Sequence, residues 1–301
     1  MAPYSARGLW LKATPILFVV LWSTGFIGAK YGLPYAEPYT FLFVRFIGVL
    51  AVLFVLIQCL NEHWPQTPRL WVHIGVAGML VHGLYLGAVF TAIGLGMPAG
   101  VTALIVGLQP LVTAVLARFW LNETIRRRQW LGILLGLIGI ILVLSEQLDL
   151  NNPGHIFIGF GWVAVLSALS ALLGISVGTL YQKRYCTDMP LVTGTFIQYL
   201  GACFILGLGA WLFETRIIDW TPTFTLALLW LIFGLSIAAI LLLMTLIRRG
   251  AASRVASLFY LVPPVTAIEA WVLFGETLGL VALAGIAIAV LGVALAVKPP
   301  N

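Results

Sequence analysis

The 301-residue chain is 61% hydrophobic and only 9% charged, with a formal net charge of +6, about a third of the charge expected of a soluble globular domain. A water-facing surface cannot be built from such a composition, so a soluble domain is excluded and an all-α integral membrane protein is predicted. Lys and Arg sit in short turns between apolar stretches, with no separate basic patch, so the charge reads as topology and no nucleic-acid partner is expected.

In chain order, ten apolar stretches of membrane-spanning length run from Ala13 to Gly32, Tyr39 to Leu60, Leu70 to Gly94, Pro98 to Leu121, Gln129 to Ser145, Ile156 to Tyr181, Pro190 to Phe213, Thr223 to Ile247, Ala251 to Phe274 and Leu278 to Val297. The first follows Arg7 and Lys12 as a signal peptide would, but it is too long and lacks a small-x-small cleavage site, so a retained helix is expected. With the N-terminus inside, the inside segments collect Arg7, Lys12, Arg69, Arg118, Arg126, Arg127, Arg128, Lys183, Arg184, Arg248, Arg249, Arg254 and Lys298, against Lys30 and Arg216 outside. The positive-inside rule then places both termini in the cytoplasm, in a multi-pass protein of the cytoplasmic membrane.

The stretch LQPLVTAVLARFWLNET, Leu108 to Thr124, returns 153 positions later as LVPPVTAIEAWVLFGET, Leu261 to Thr277. The same offset pairs Gly25 with Gly178, Lys30 with Lys183, Thr40 with Thr193, Pro110 with Pro263, Glu123 with Glu276, Gly132 with Gly285 and Gly139 with Gly292, and slips only around Trp64 and Trp220. Residues 1–150 and 151–301 therefore form two copies of five spans each, within one structural unit. Five is odd, so the second copy crosses the membrane in the opposite sense. The turn NETIRRR keeps three arginines that its partner GETLG lacks, as opposite sides require. Inverted-topology repeats are the architecture of secondary transporters that expose a central site to each side in turn.

The two five-helix copies, the Arg45 of FLFVRF, the hairpin PLVTAVLARFWLNET and the following GILLGLIGIILV resemble the EamA branch of the drug/metabolite transporter superfamily. The resemblance implies a ten-helix basket whose central cavity carries small organic metabolites, often outward and often amino acids. Its partners would be the small-molecule substrate and membrane lipid, in a monomer or weak homodimer. No cofactor or metal is expected, and the absence of GxxxxGK[ST] excludes direct use of ATP through a P-loop.

Pro110 and Pro263, with Pro264 beside the latter, fall near the middle of the fourth and ninth spans. An interior proline frees a carbonyl and kinks the helix, so these residues are candidate gating hinges. Trp22, His82, Tyr85, Gln109, Ser170, Ser236 and Tyr260 fall near the bilayer centre. Polar groups at that depth normally face a cavity, and these are the candidate substrate-binding residues; the competing reading is hydrogen bonding between packed helices. Arg45, matched by Gln198 in the second copy, is read as structural, snorkelling or pairing within its own half. Glu123 and Glu276 are read as structural caps opening the helices that follow them. Glu269 is the carboxylate well inside an apolar run, and the first span has none of the acid that small multidrug exporters use, which leaves proton coupling open.

Three patterns carry less. GISVG, Gly174 to Gly178, lies mid-helix, where a nucleophile elbow cannot form. GLYLG and GILLG are small-residue packing stripes, and Cys59, Cys186 and Cys203 have neither metal nor disulfide spacing. The reading is a transporter and no enzyme. The alternatives are a channel, or an intramembrane serine hydrolase pairing Ser170 or Ser176 with His82.

Overall fold

The computed structural model describes residues 4–120, 127–148, 157–239, 242 and 258–297, without the side chains of 4–13, 260, 296 and 297. Its helices are α1 (Tyr4–Gly32), α2 (Pro38–Leu60), α3 (Pro68–Gly78), α4 (Tyr85–Gly94), α5 (Ala99–Gly107), α6 (Gln109–Trp120), α7 (Arg127–Glu146), α8 (Trp162–Tyr185), α9 (Leu191–Phe213), α10 (Pro222–Leu229), α11 (Val262–Phe274) and α12 (Leu280–Val297). Among the described residues, eight helical stretches are long and apolar enough to cross a membrane, and two shorter apolar helices are Val262–Phe274 and Leu280–Leu295. Such a chain has to satisfy its backbone internally, which helices do without help from water.

Helix starts follow local chemistry. Pro68 and Pro222 open α3 and α10, while the Thr67 and Thr221 hydroxyls accept from Leu70 N–H and Phe224 N–H. The sixth predicted span begins late, at Trp162 and not Ile156, because Gly159 takes a φ of +81° and Phe157 stacks on Phe160 at 5.1 Å. Apolar composition alone could not show that turn.

Two spans contain π-helical turns that the sequence did not announce. Met79–Leu84 joins α3 to α4, and Trp230–Ala239 continues α10. The two overlap at the repeat offset and carry His82 and Ser236 respectively. Wider π turns rotate the side chains that follow them and recur at functional sites.

The proline prediction needs correction. Pro110 does not kink a continuous fourth span, since α5 ends at Gly107 and Pro110 stands in the first turn of α6. Pro263 and Pro264 likewise stand in the first turn of α11, after a 3₁₀ turn at Phe259–Leu261. A first-turn proline lacks an N–H that would be unpaired anyway. The first copy therefore breaks the helix where a mid-helix bend was expected, and in the second the prolines likewise open a helix.

Helices α7 and α12 pack through glycines that match in the repeat. A Cβ on Gly139 would fall on the Gly285 carbonyl, and one on Gly292 would fall on the Gly132 carbonyl. Because numbering rises along one helix as it falls along the other, the pair is antiparallel and its contacts are reciprocal. Elsewhere, Phe18, Phe41, Phe46, Phe90 and Phe224 are fully buried between helices, whereas Phe119, Leu166, Trp211 and Phe213 point outward. An apolar rim outside an apolar core is what a lipid-facing bundle requires.

Candidate functional site

A cavity of about 670 Å³ lies between the two copies, within the range of small-molecule sites. From the first copy it is lined by Trp22, Phe26, Arg45, His82, Tyr85, Phe90, Gln109 and Pro110, and from the second by Thr179, Lys183, Tyr199, Ser236, Phe259 and Pro263, among others. It runs from Phe26 and Phe90 toward the ends of α6 and α8, where Ala117 and Lys183 border it. The lining is mostly aromatic and aliphatic, with few polar groups. That pattern suits an apolar body with one or two polar handles.

Each wall has an identifiable support. Trp22 packs edge-on against Phe259 of the other copy at 5.1 Å. His82 stacks on Tyr199 with ring centres 4.6 Å apart, and Tyr199 meets Phe46 at 4.8 Å. Phe46 and Tyr199 are themselves mates at the repeat offset. Gln109 Nε2 donates to Thr179 Oγ1 at 3.0 Å, closing the wall beside Pro110.

Of the candidate binding residues, Trp22, His82, Tyr85, Gln109 and Ser236 reach this lining. Ser170 does not: it is exposed on the outer surface of α8. The Tyr260 side chain lies outside the described side chains, and Glu123 lies outside the described residues. Pro110 and Pro263 border the cavity, and Pro264 is absent from its lining. Ser176 is fully buried, and among the described residues neither it nor Ser170 bonds to His82.

Arg45 departs from its expected behaviour. It does not snorkel, being 2% exposed; its guanidinium lies 5.5 Å from the Phe46 ring of its own copy, and its Nη2 also donates to Ser236 Oγ of the second copy at 2.9 Å. Tyr199 and Phe259 line the cavity without having been singled out. Tyr199 could have been found by applying to the neighbour of Gln198 the depth rule that picked out His82.

Beyond Phe26 and Phe90 the bundle is tied shut by carboxylates. Glu276 forms an ion pair with Lys30 and accepts from Ala99 N–H, the first residue of α5, at 3.3 Å. It does not cap the helix after it, as predicted. That role falls to Glu146, which accepts from Ala282 N–H at 2.7 Å. Glu214 accepts from Tyr39 N–H and Thr40 N–H at 2.7 Å each, capping α2 from the end of α9. Glu37 accepts from the Thr215 hydroxyl at 2.7 Å and its N–H at 2.6 Å, and the hydroxyl bond above all holds its carboxyl below the usual carboxylate range.

A chain of apolar helices around an aromatic cavity shared by two sequence copies is the build of a multi-pass membrane transporter. The family comparison is specific: the EamA-like transporter family matches residues 10–145 and again 162–298, and the chain belongs to that family. An "Uncharacterized transporter YvbV" of Bacillus subtilis is 27% identical, over 92% of this chain and 88% of its own. A "Probable amino-acid metabolite efflux pump" of Salmonella typhimurium is 30% identical over 90% and 89%, and an "S-adenosylmethionine uptake transporter" of Rickettsia bellii is 26% identical over 87% and 84%. One solved crystal structure shares the fold at a TM-score of 0.65 with 22% identity, covering 94% of this chain and 95% of the other.

Proposed function

We propose that the protein is a ten-span secondary transporter whose two inverted copies alternate in exposing one cavity, moving a small organic metabolite, an amino acid or a related compound, out of the cytoplasm. The observation that carries this is the cavity lined by both copies and tied shut at one end by Lys30 and Glu276. A site at the interface of two repeats can be opened to either side by rocking one against the other.

Several contacts support the inversion. The α7–α12 contacts are reciprocal, and Phe46 meets its own repeat mate. Thr40 and Thr193 are mates that bond across the copies to Glu214 and to the His63 carbonyl. Cysteines placed beside Glu123 and Glu276 should then label from opposite sides of the membrane. Arg118, Lys183 and Arg184 at the open end support reading that end as the cytoplasmic one. The efflux name of one relative favours export of an amino-acid metabolite, and the uptake name of another makes direction part of the test.

That test compares metabolites inside and outside cells lacking the gene with those of complemented cells. The expected result is retention of a small amino-acid-like compound in the deletion strain and its saturable release on complementation. Identical profiles would refute transport of this class, and release that does not saturate would indicate a channel.

A further inference from the structure

Arg45 poses a problem of charge. Two turns into α2 it is 2% exposed, its Nη2 bonds Ser236, and its Nε and Nη1 are buried without a partner. Among the described residues the one carboxylate in an ion pair is Glu276, with Lys30. A buried cation without a counter-charge is strongly unfavourable, and in a membrane such groups mark substrate or ion paths.

The repeat shows that the fold does not demand a cation here. Gln198, at the matching position, is 4% exposed and donates to Gln182 Oε1 within its own copy at 3.2 Å. A neutral amide thus fills the equivalent place. At this matched position only the first copy carries a charge, and that charge borders the cavity beside His82, Tyr85, Tyr199 and Ser236.

We propose that Arg45 is the carboxylate-binding residue of the cavity, so that the transported class is small carboxylates with an apolar or aromatic body; this rests on the transporter reading. A guanidinium offers a carboxylate charge-assisted bonds that neutral groups cannot match. Its lone position favours a single negative charge over a phosphate dianion, because the other cation of the described lining, Lys183, stands near the end of α8. The open donors are covered by the wall in this state, so the carboxylate engages them as the wall shifts. Because Arg45 is tied to the π-helical segment of the second copy through Ser236, that engagement links binding to movement of one copy against the other.

The test is ligand-dependent thermal stabilisation of the purified full-length protein, with each apolar and aromatic amino acid set beside its primary amide. Acids should stabilise at concentrations roughly ten- to a hundredfold below their amides, the range expected for hydrogen bonds to a charged group. Arg45→Gln, which copies Gln198, should erase the difference, Arg45→Lys should keep part of it, and inorganic phosphate should not compete. Equal stabilisation by acid and amide, stabilisation by neither, displacement by phosphate, or a folded Arg45→Gln that keeps the preference would each overturn the assignment. If Arg45→Gln does not fold, the acid–amide comparison in the wild-type protein decides alone. Gene-dependent export of a neutral compound would sink the carboxylate site and leave the transporter reading standing.

Discussion

At the end where α1 and α11 finish, carboxylates hold the copies together: Glu276 with Lys30 and Ala99, Glu214 with the start of α2, and Glu37 with Thr215. At the opposite end, around Trp120 and Tyr185, the cross-copy contacts include Gln109 to Thr179, a hydrogen bond shared by His73 Nδ1 and the Tyr181 hydroxyl at 2.7 Å with the His73 ring stacked on Tyr185, Thr193 to the His63 carbonyl, and Arg184 to the Trp120 carbonyl at 3.3 Å. The cavity extends toward this second end. Charge-assisted bonds are roughly twice as strong as neutral ones, so closure is concentrated where the carboxylates are. Opening the closed end must break them.

Removing Glu276 is the strongest way to break that contrast. Its side chain is 13% exposed and Lys30's is 31%, so the pair counts for more than a fully exposed one and less than a buried one. Glu276→Ala loses both the pair and the cap on Ala99, about 2 kcal/mol, and should shift the population toward opening at that end by tens of fold. Lys30→Ala keeps the cap and should shift it less. Distance measurements between spin labels on α1 and α11 would read both.

The wall between the two ends is tested next. His82→Ala and Tyr85→Phe should raise the half-saturation concentration for transport by roughly tenfold, from a net contact of about 1 kcal/mol or somewhat more. Ser170→Ala on the outer surface and Ser145→Ala, whose hydroxyl donates to Leu142 O at 2.8 Å, should behave as wild type. If the two sets respond alike, the cavity is not the path.

A smaller effect is expected at the break between α5 and α6. Pro110→Ala supplies an N–H that can reach Val106 O and run the two helices together. Turnover should fall severalfold while binding is kept. Unchanged turnover would make the break a matter of packing.

The smallest effect belongs to Glu37. The Thr215 hydroxyl bond holds its carboxyl below the usual carboxylate range in the folded protein, so its contribution is present above that range and fades as pH falls through the lower folded value. Thermal stability should drop between about pH 5 and pH 3 slightly more in wild type than in Glu37→Gln. Equal pH profiles would show that the Thr215 contact contributes nothing to closure.

The sequence displayed the spans, the repeat and the depth of each polar residue, because a bilayer imposes length and hydropathy on every helix. Depth located Trp22, His82, Tyr85, Gln109 and Ser236. Rotation about the helix axis was not legible: α8 is apolar all round, so nothing on it distinguished outward-facing Ser170 from cavity-facing Thr179. Long-range partners were equally hidden. Glu276 looked like a local cap until the fold brought Lys30, 246 positions away, beside it. Arg45 looked self-contained until Ser236, 191 positions away, met it. Both partners come from the other copy, and local spacing carries no signal for that.

The central claim is a cavity open to one side and closed to the other by Lys30 and Glu276. A single cysteine at Ala114, in a background without Cys59, Cys186 and Cys203, tests it with an impermeant maleimide applied to membrane vesicles of either orientation. Wild type should label only from the side bearing Lys183, and Glu276→Ala should add labelling from the side bearing Lys30. Labelling of wild type from the Lys30 side, or from neither side, would contradict the account.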